Sequence, residues 1–488
     1  MKKKSTLLLG LGCLLFSLLP AQNGLIYGLH FTNGQLRFAE YNIQTGNLNV
    51  LTPNAISPDG FQPGVADYDH FNKVYYYLRN GGNASQIYAI DAVTGNTLSV
   101  ATMNSGNNAV SPITNIAYNW LNDTIYGLNY TFNSNSGQTI LKLASVDPQS
   151  GVVSVISANP VSTTPFGSGN SDIDPVHRRY FYITTNRLYT VDLDNGTATY
   201  DVAINMPVNT SFVNLTYNWV DQQLYGLAFG PAANPNGIFT YQLQLATVDP
   251  TTGNTQILSS VPLSLDGFST SDCDIDPVGN RYFYIRQNSL YTADLTTGAL
   301  LSVTPFPNPN NAISPLTSMA FDEFTTALPL PRAQMNMGEP VNFDPANPPA
   351  LDAYVGSDAS YLWNDGSTDP QMLASSPGTY SVQISKGSFV IEGSIELEGQ
   401  NATAIEPTIP QALKVFPNPA KDHLFYQWDQ TEPLQGIQLY NAQGKIVWQQ
   451  SAPTSQGQIF VGSFAEGIYL LKIQTETGQR VERVVLTQ

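Results

Sequence analysis

The chain has 488 residues, of which 12% are charged and 42% are hydrophobic, and it is rich in Gly (38), Pro (33) and Tyr (26). This composition is typical of turn-rich all-β structure and excludes coiled coils and disordered polyelectrolytes. The formal charge of −17 argues against nucleic acid as a partner, because phosphate binding needs an excess of Lys and Arg. With two cysteines, the chain has neither a disulfide scaffold nor a cysteine-based zinc site.

The N-terminus has the three-part layout of a secretory signal peptide. Three lysines at 2–4 precede an apolar run over 7–19, and Ala21 ends the run. The run is shorter than the ~20 residues needed to cross a bilayer. Residues 1–21 are therefore predicted to be cleaved on export. Cys13 offers a lipoprotein alternative, but it lies inside the apolar run rather than at its end.

The rest of the chain divides into blocks that differ in charge and in proline content. Prolines cluster at 329–331 and at 345–349, and the last block is neutral whereas the earlier ones are acidic. Such breaks are typical of separately folded modules. The predicted divisions are a propeller at 23–330, an Ig-like module at 333–400, a linker at 401–410 and a C-terminal domain at 411–488.

The first block is built from a repeat. IAYNWLNDTIYGL (116–128) returns as LTYNWVDQQLYGL (215–227), and DIDPVHRRYFYI (172–183) returns as DIDPVGNRYFYI (274–285). A period near 50 residues with four short strands per unit is typical of propeller blades. The turn glycines that mark the period are Gly46, Gly95, Gly151, Gly196, Gly253 and Gly298.

The count of strands predicts how the ring closes. Five units contain all four strands, whereas the N-terminus offers three strands and the segment 318–324 offers one. Joining these remnants completes a sixth blade from both chain ends and hides the sheet edges. The sequence thus predicts an all-β protein with a six-bladed β-propeller. Its blades alternate between a short form, with a second strand like YFYI, and a long form, with a second strand containing YGL and an inserted loop.

Three aspartates recur in alternate blades: Asp67, Asp172 and Asp274. First strands line the channel of a propeller, so these carboxylates could converge near the axis and hold a hard cation such as calcium. The alternatives are salt bridges to a local Lys or Arg, or exposure at the channel mouth. The Asp or Asn two residues later occurs in every blade and is interpreted as a turn former that bonds to the following backbone.

Aromatic and nucleophilic side chains are further candidate site residues. Trp120 and Trp219 occupy equivalent turns, where they could form stacking platforms for sugar rings or apolar side chains, or pack between blades. Cys273 aligns with apolar core positions, which indicates a buried, inert thiol. No catalytic motif is present, and the four histidines share no blade position, so no catalytic residue is nominated.

The second block predicts a small β-sandwich. Trp363 lies in a strand, and a Pro377–Gly378 turn precedes another strand. These features resemble the Ig-like and PKD-like repeats of bacterial surface proteins, without the cysteine pair of antibody domains. The resemblance implies a spacer that in some cases also binds.

The third block contains strand–turn–strand units, with LKVFPNPAKDHL at 413–424, GIQLYNAQGKIVW at 436–448 and a GIY strand followed by a basic strand. This order resembles the C-terminal sorting domain of the type IX secretion system, type A; the alternative is a further Ig-like repeat. The matching residues are Pro417, Asn418, Pro419, Ala420, Gly444, Lys445, Gly467, Ile468, Tyr469, Arg483, Val484 and Val485.

The resemblance implies a route and a destination. Members of this family pass through the periplasm and cross the outer membrane by the type IX machinery, and they are then released or anchored to surface lipopolysaccharide. We therefore expect a secreted protein or one on the outer cell surface, with its signal peptide cleaved.

Two functions remain for the propeller. The first is a non-enzymatic binding or adhesion module for a protein or glycan, with contact loops at 129–140 and 228–239. The second is a calcium-dependent hydrolase or lactonase that uses the three aspartates. Repetition favours the binding module, because catalysis needs different groups in different roles.

Overall fold

A computed structural model describes residues 24–487, except 53, 57–63, 80–84, 104–108, 134–136, 164–170, 185, 233–239, 266–271, 308–313, 326–329, 400–412, 429–432, 442–443 and 477. The predicted signal peptide and linker lie outside the described residues, as do parts of both proposed contact loops. Over these described residues the prediction of an all-β protein is confirmed, and a short 3-10 helix spans Glu323–Thr325. Among the described residues, no helix is long and apolar enough to cross a membrane.

Two compact units make up the chain, Met1–Glu398 and Gly399–Gln488. Within its described residues the first unit begins with 24 strands, many of them rich in Tyr, Val and Ile as expected of half-buried pleated structure. The first twelve are β1 Leu25–Thr32, β2 Gln35–Asn42, β3 Asn47–Val50, β4 Gly64–Asp69, β5 Val74–Arg79, β6 Gln86–Asp91, β7 Thr97–Thr102, β8 Ala109–Asn119, β9 Thr124–Asn133, β10 Gln138–Val146, β11 Val153–Val155 and β12 Ser171–Asp174. The next twelve are β13 Arg179–Ile183, β14 Arg187–Asp192, β15 Ala198–Ala203, β16 Ser211–Asn218, β17 Gln223–Ala232, β18 Thr240–Val248, β19 Thr255–Ile257, β20 Cys273–Asp276, β21 Arg281–Arg286, β22 Ser289–Asp294, β23 Leu300–Pro305 and β24 Ser314–Phe321.

These strands form six antiparallel four-stranded sheets. Five sheets are consecutive in the chain: β4 to β7, β8 to β11, β12 to β15, β16 to β19 and β20 to β23. The other has the order β24-β1-β2-β3, so the strand Ser314–Phe321 pairs with Leu25–Thr32. The first strands contact one another in the cyclic order β4, β8, β12, β16, β20, β24 and back to β4. We call this closed set of sheets the ring.

A tyrosine hydroxyl secures a bulge at three positions around the ring. Asn115, Asn214 and Ser318 have φ values of 51°, 58° and 49°, and each lies where the first strand of a long-form sheet shifts register or loses its regular pairing. The carbonyl of each accepts a hydrogen bond from a buried tyrosine on a neighbouring sheet, respectively Tyr180, Tyr282 and Tyr75. These bonds satisfy backbone oxygens that the bulge removes from the ladder.

The second module, residues 333–398, belongs to the first compact unit. Its strands are β25 Ala333–Asn336, β26 Val341–Phe343, β27 Ala350–Asp352, β28 Ser360–Trp363, β29 Gln371–Leu373, β30 Gly378–Lys386 and β31 Phe389–Gly399. One sheet has the order β25-β31-β30-β28, with β26 also pairing with β31, and β27 pairs with β29. Trp363, Ile384 and Ile391 are buried in a core that is continuous with buried residues of the ring.

The C-terminal unit contains two sheets around its own core. Its strands are β32 Leu413–Phe416, β33 His423–Trp428, β34 Gly436–Tyr440, β35 Ile446–Ser451, β36 Gln456–Phe460, β37 Gly467–Gln474 and β38 Gln479–Leu486. One sheet has the order β32-β33-β36 and the other β35-β34-β37-β38. Leu424, Ile437, Leu471 and Val484 are fully buried between them. Alternation of apolar and polar residues along β33 and β37 gives each strand one inward face.

Candidate functional site

The three recurrent aspartates occupy equivalent positions on the innermost strands β4, β12 and β20. One oxygen of each carboxylate accepts a hydrogen bond from the next N–H of its own strand, at 2.7 Å. The other oxygen accepts a bond of 2.6 Å from a backbone N–H of the following sheet. The cross-sheet pairs are Asp67 with Tyr118, Asp172 with Tyr217, and Asp274 with Phe321.

These aspartates line one cavity of about 50 Å³, together with His70 and Glu323. That volume accommodates a few water molecules and excludes an organic substrate. Burial raises the pKa of Asp67 to about 7, with repulsion from Asp172 adding to the shift, and burial raises the pKa of Asp172 to about 6. Burial, with repulsion from neighbouring carboxylates, also raises the pKa values of Asp274 and Glu323.

The cavity brings the aspartates together without arranging them as metal ligands. Within the described residues, no group of three or more His, Cys, Asp or Glu side chains is positioned to hold a metal ion. Each aspartate directs both oxygens at N–H donors, whereas calcium needs about six to eight oxygens around one centre. In the same part of the chain, none of the three aspartates forms an ion pair with Lys or Arg. Each carboxylate instead links two adjacent sheets through its two hydrogen bonds, and we call this arrangement a clasp.

The Asp or Asn two residues further on has the turn-forming contacts that the repeat indicates. Asp69 Oδ1 accepts from the N–H groups of residues 71 and 72, and Asp174 Oδ1 accepts from those of residues 176 and 177. The amide oxygens of Asn119 and Asn218 accept from the N–H two residues later. These short polar side chains therefore start the turn from the first strand to the second.

Trp120 and Trp219 lie in a buried aromatic cluster. Each is 4% exposed, and their ring centroids are 4.5 Å and 4.9 Å from that of Phe389, which belongs to the second module. Phe324 contacts both indoles and stacks against Phe389. Both indoles therefore pack against aromatic side chains of neighbouring ring segments as well as of the second module.

The hairpin that carries Phe389 is shaped for this contact. Gly387 has φ of +56°, and a Cβ there would lie 3.0 Å from the ring of Phe71. Lys386, on the same hairpin, forms an ion pair of 2.8 Å with Asp123. Its ammonium also lies 5.5 Å from the Phe71 ring centroid, where cation–π attraction adds to the contact.

Hydrogen bonds and one close backbone approach extend the interface between the ring and the second module. His177 accepts a bond from the Asn336 N–H at Nε2 and lies 2.8 Å from Asp174 through Nδ1, so its proton resides on Nδ1. Arg178 donates to the carbonyl of Tyr354 at 3.0 Å. A Cβ at Gly356 would lie 2.0 Å from the Leu121 carbonyl oxygen. Glycine permits this approach of the two backbones.

The predicted sorting residues Pro417, Asn418 and Pro419 lie beside the last strand of the C-terminal unit. The amide group of Asn418 donates to the Arg483 carbonyl and accepts from the Val485 N–H, both at 2.8 Å. The side chain thereby imitates a strand residue and holds the segment against β38.

The remaining motif residues shape turns, face solvent or pack in the core, as Ala420 and Val484 do. Gly444 has φ of +74° and donates to the Asn441 carbonyl, and Asn441 also accepts from the Lys445 N–H. Gly467 has φ of +146°, and buried Tyr469 donates to the Ala465 carbonyl. Pro417, Asn418, Pro419, Lys445 and Arg483 are exposed.

Comparison with known families bears on this C-terminal unit. Residues 414–487 match the family described as the Secretion system C-terminal sorting domain. The match confirms the predicted sorting domain and indicates a protein secreted by the type IX machinery to the cell surface. No curated protein sequence matches the chain.

Several solved structures are similar in backbone to part of this chain. TolB from Acinetobacter baumannii is 14% identical over 62% of this chain and 66% of that chain, with a TM-score of 0.41. A putative TolB from Agrobacterium tumefaciens is 11% identical over 58% and 88%, with a TM-score of 0.35. A putative 6-phosphogluconolactonase from Bacteroides uniformis is 12% identical over 62% and 99%, with a TM-score of 0.36. The chain thus spans 66% of the length of the Acinetobacter protein.

Glu323 is a cavity residue that the sequence did not single out. Its carboxylate accepts a 2.6 Å bond from the indole N–H of Trp219. In the repeat it stands where the two other long-form sheets have Trp120 and Trp219, so the signal was a break in the repeat rather than a recurrence.

Removal of one clasp tests the role of the axial carboxylates. Asp172→Ala leaves the N–H groups of Ile173 and Tyr217 and the hydroxyl of Thr216 without their acceptor. Because buried unpaired donors are costly, we expect a destabilisation of about 2–4 kcal/mol, measured as a lower unfolding midpoint in calorimetry. Asp201→Ala, which removes an exposed ion pair with Arg187, is the control and should cost less than about 1 kcal/mol. Equal midpoints for the two variants would contradict the clasp.

The raised pKa values predict a pH dependence. A carboxyl whose pKa is raised by folding stabilises the fold when protonated, and that contribution is lost as the pH rises through the folded value. For Asp67 and Asp172 the loss falls between about pH 4 and pH 7. Asp67→Asn has no proton to lose there, so its unfolding midpoint should decline less steeply than that of the parent protein from pH 4.5 to 8. Parallel profiles would argue against a titrating Asp67.

Proposed function

We propose that the protein is an exported cargo of the type IX secretion system whose head is a non-enzymatic binding module. In this proposal the ring is a six-bladed β-propeller, residues 333–398 are an Ig-like module, and the C-terminal unit directs sorting. Export begins with cleavage of a signal peptide at 1–21, and surface attachment follows through lipopolysaccharide. The six sheets with cyclic contacts between their first strands support the propeller assignment.

The hydrogen bonds of Asp67, Asp172 and Asp274 are the main observation in support of a head without enzymatic activity. Both oxygens of Asp67, Asp172 and Asp274 accept from N–H groups within and between sheets. A hydrolytic calcium centre would need the same oxygens turned inward, with open positions left for substrate. The cavity of about 50 Å³ is also too small for an ester or lactone. These features support a structural role for the acidic centre.

The second module supports the same conclusion. Phe389 and the two indoles cover the cavity residues on the side where the first strands end. A spacer that only separates the head from the sorting domain would not need a buried joint with the ring. We therefore regard the second module as a lid on one end of the ring and as part of the head.

The calcium-dependent hydrolase or lactonase remains the alternative hypothesis. One observation favours it, which is that three carboxylates and Glu323 face a common cavity. Rotation of these side chains toward the cavity would free their oxygens, but it would also break the cross-sheet bonds. The binding module needs no such rearrangement.

Deletion of the C-terminal unit tests the export route. A chain that ends at residue 410 should fold, because the first compact unit has its own core. It should accumulate in the periplasm, whereas the full chain reaches the surface or the medium. Fractionation and immunoblotting measure the distribution, with Asp201→Ala in the first unit as a control outside the sorting domain. Surface delivery of the truncated chain would overturn the sorting assignment.

Calcium titration separates the two hypotheses for the head. We expect no saturable heat when calcium is added, after chelation, to the chain from residue 22 onward. Asp274→Ala is the matched variant, and its titration should be identical to that of the parent. Tight binding that the variant loses, together with ester or lactone hydrolysis, would replace the binding role with the enzymatic one.

A further inference from the structure

Three junctions of the ring have the same arrangement of strands. One of them lacks a side chain that the other two have. Each joins a short-form sheet to the following long-form sheet. Junction one lies between β4–β7 and β8–β11, junction two between β12–β15 and β16–β19, and junction three between β20–β23 and the sheet β24-β1-β2-β3. Each junction contains a buried aspartate at the end of the first strand: Asp69, Asp174 or Asp276, with exposed fractions of 1%, 0% and 0%.

At junctions two and three an arginine fills the space between the sheets. Arg179 donates to Asp174 Oδ2 from Nη2 and Nε at 2.6 and 3.1 Å, and Arg281 donates to Asp276 Oδ2 at 2.6 and 3.0 Å. Each guanidinium carbon lies 5.3 Å from the ring centroid of a phenylalanine, Phe181 or Phe283. The chain thus builds the same guanidinium site twice.

Junction one keeps the site and lacks the arginine. Val74 stands five residues after Asp69, where Arg179 and Arg281 stand in the other two repeats. The aromatic pair is retained, because the ring centroids of Tyr76 and Tyr118 lie 5.2 Å apart. The corresponding distances at the other junctions are 5.4 and 5.2 Å. The arginine is the charged group that both other junctions have and junction one lacks.

A groove of about 1240 Å³ occupies junction one. Its inner end is lined by Asp69, Tyr76 and Tyr118, the counterparts of the residues that surround arginine at the other junctions, and by Val74 at the arginine position. It continues outward between β7 and the β10–β11 hairpin, past Leu98 and residues 147–150. Such a volume accommodates an arginine side chain together with several flanking groups.

Hydrogen bonding at the inner end leaves an acceptor without a cation. Asp69 Oδ2 accepts from the Asn72 amide at 2.8 Å and from the Tyr118 hydroxyl at 2.8 Å. The same hydroxyl lies 3.0 Å from Asp123 Oδ1, but its single hydrogen bonds to one carboxylate at a time. Asp123 has Lys386 as an ionic partner, whereas no Lys, Arg or His in the described chain pairs with Asp69.

We propose that the groove at junction one binds a guanidinium group, which occupies the position that Arg179 and Arg281 fill at the other two junctions. Asp69 accepts its hydrogen bonds, and the faces of Tyr76 and Tyr118 stack against it. The ligand is a free arginine-like compound or an arginine side chain of a polypeptide. The acidic charge of the whole chain, −17, attracts either one.

This inference deepens the proposed binding role and rests on it, but the two can fail separately. Calcium-dependent hydrolysis would overturn the binding role without affecting arginine binding. Absence of arginine binding would overturn the assignment of the groove as a guanidinium site. The expected results for export and for calcium would not change.

Calorimetric titration of the chain from residue 22 onward tests the proposal. The probes are N-acetyl-arginine amide and a capped Gly-Gly-Arg-Gly-Gly peptide, each matched by its citrulline analogue, which is neutral and of nearly the same shape. We expect one site per chain, with at least tenfold weaker binding of citrulline because the charge-assisted bonds are lost. Equal affinity of both arginine probes identifies a small guanidinium ligand, and preference for the peptide identifies a polypeptide. Equal binding of arginine and citrulline, or no binding of either arginine probe, overturns the proposal.

Three variants test whether the heat of binding arises from the groove. Val74→Arg supplies the missing side chain and should abolish arginine binding, while Val74→Ile, the apolar control, should retain it. Arg281→Val removes the internal arginine at junction three and should raise the stoichiometry from one to two. Unfolding midpoints identify any variant that fails to fold, and the Arg281 variant keeps the test decisive in that case. Unchanged binding by folded Val74→Arg, or an unchanged stoichiometry in folded Arg281→Val, overturns the assignment.

Discussion

The ring depends on a carboxylate that accepts two backbone N–H groups from adjacent sheets. An innermost strand has a partner on one edge only, so its other edge would leave donors unpaired in a buried place. Asp67, Asp172 and Asp274 supply the missing acceptors, and tyrosine hydroxyls supply the donors for the bulge carbonyls. Side chains therefore replace the ladder where sheets meet at the axis, and their recurrence every second sheet explains why the repeat unit is a pair.

The acidic centre follows from this construction. Each clasp places a carboxylate at the axis, and three of them with Glu323 concentrate negative charge in a small cavity. Burial raises the pKa of Asp274 as it does those of its partners, which reflects the free-energy cost of the buried charge. The second module then covers one end with Phe389, Trp120 and Trp219. Perturbed carboxylates are a common indication of an active site, but here the geometry of the ring accounts for the perturbation.

The sequence predicted the arrangement of the strands but few of the contacts made by the candidate site residues. Spacing of turn glycines and the copied segments predicted the strands, including the pairing partner of the N-terminal strand. Packing was one predicted role of Trp120, but its contact with Phe389 was not predictable, because repeats within the ring carry no information about a neighbouring module. Likewise, alignment placed Asp172 at a recurrent position but could not indicate that backbone donors occupy its oxygens. Asn418 was recognised through a family motif, and its two bonds to the last strand became visible only in the fold.

Departures from a repeat are more informative than the repeat itself. An arginine between Asp174 and Phe181 compensates a buried charge, and the same solution recurs at Asp276. A chain selected for stability alone would keep it a third time, because an unpaired buried carboxylate costs free energy. With Val74 at this position, Asp69 has no arginine beside it, and a groove lies where the arginine would be. Functional sites are where proteins tolerate such local costs, so the missing arginine is better explained by a ligand that supplies the cation from outside than by drift in the repeat.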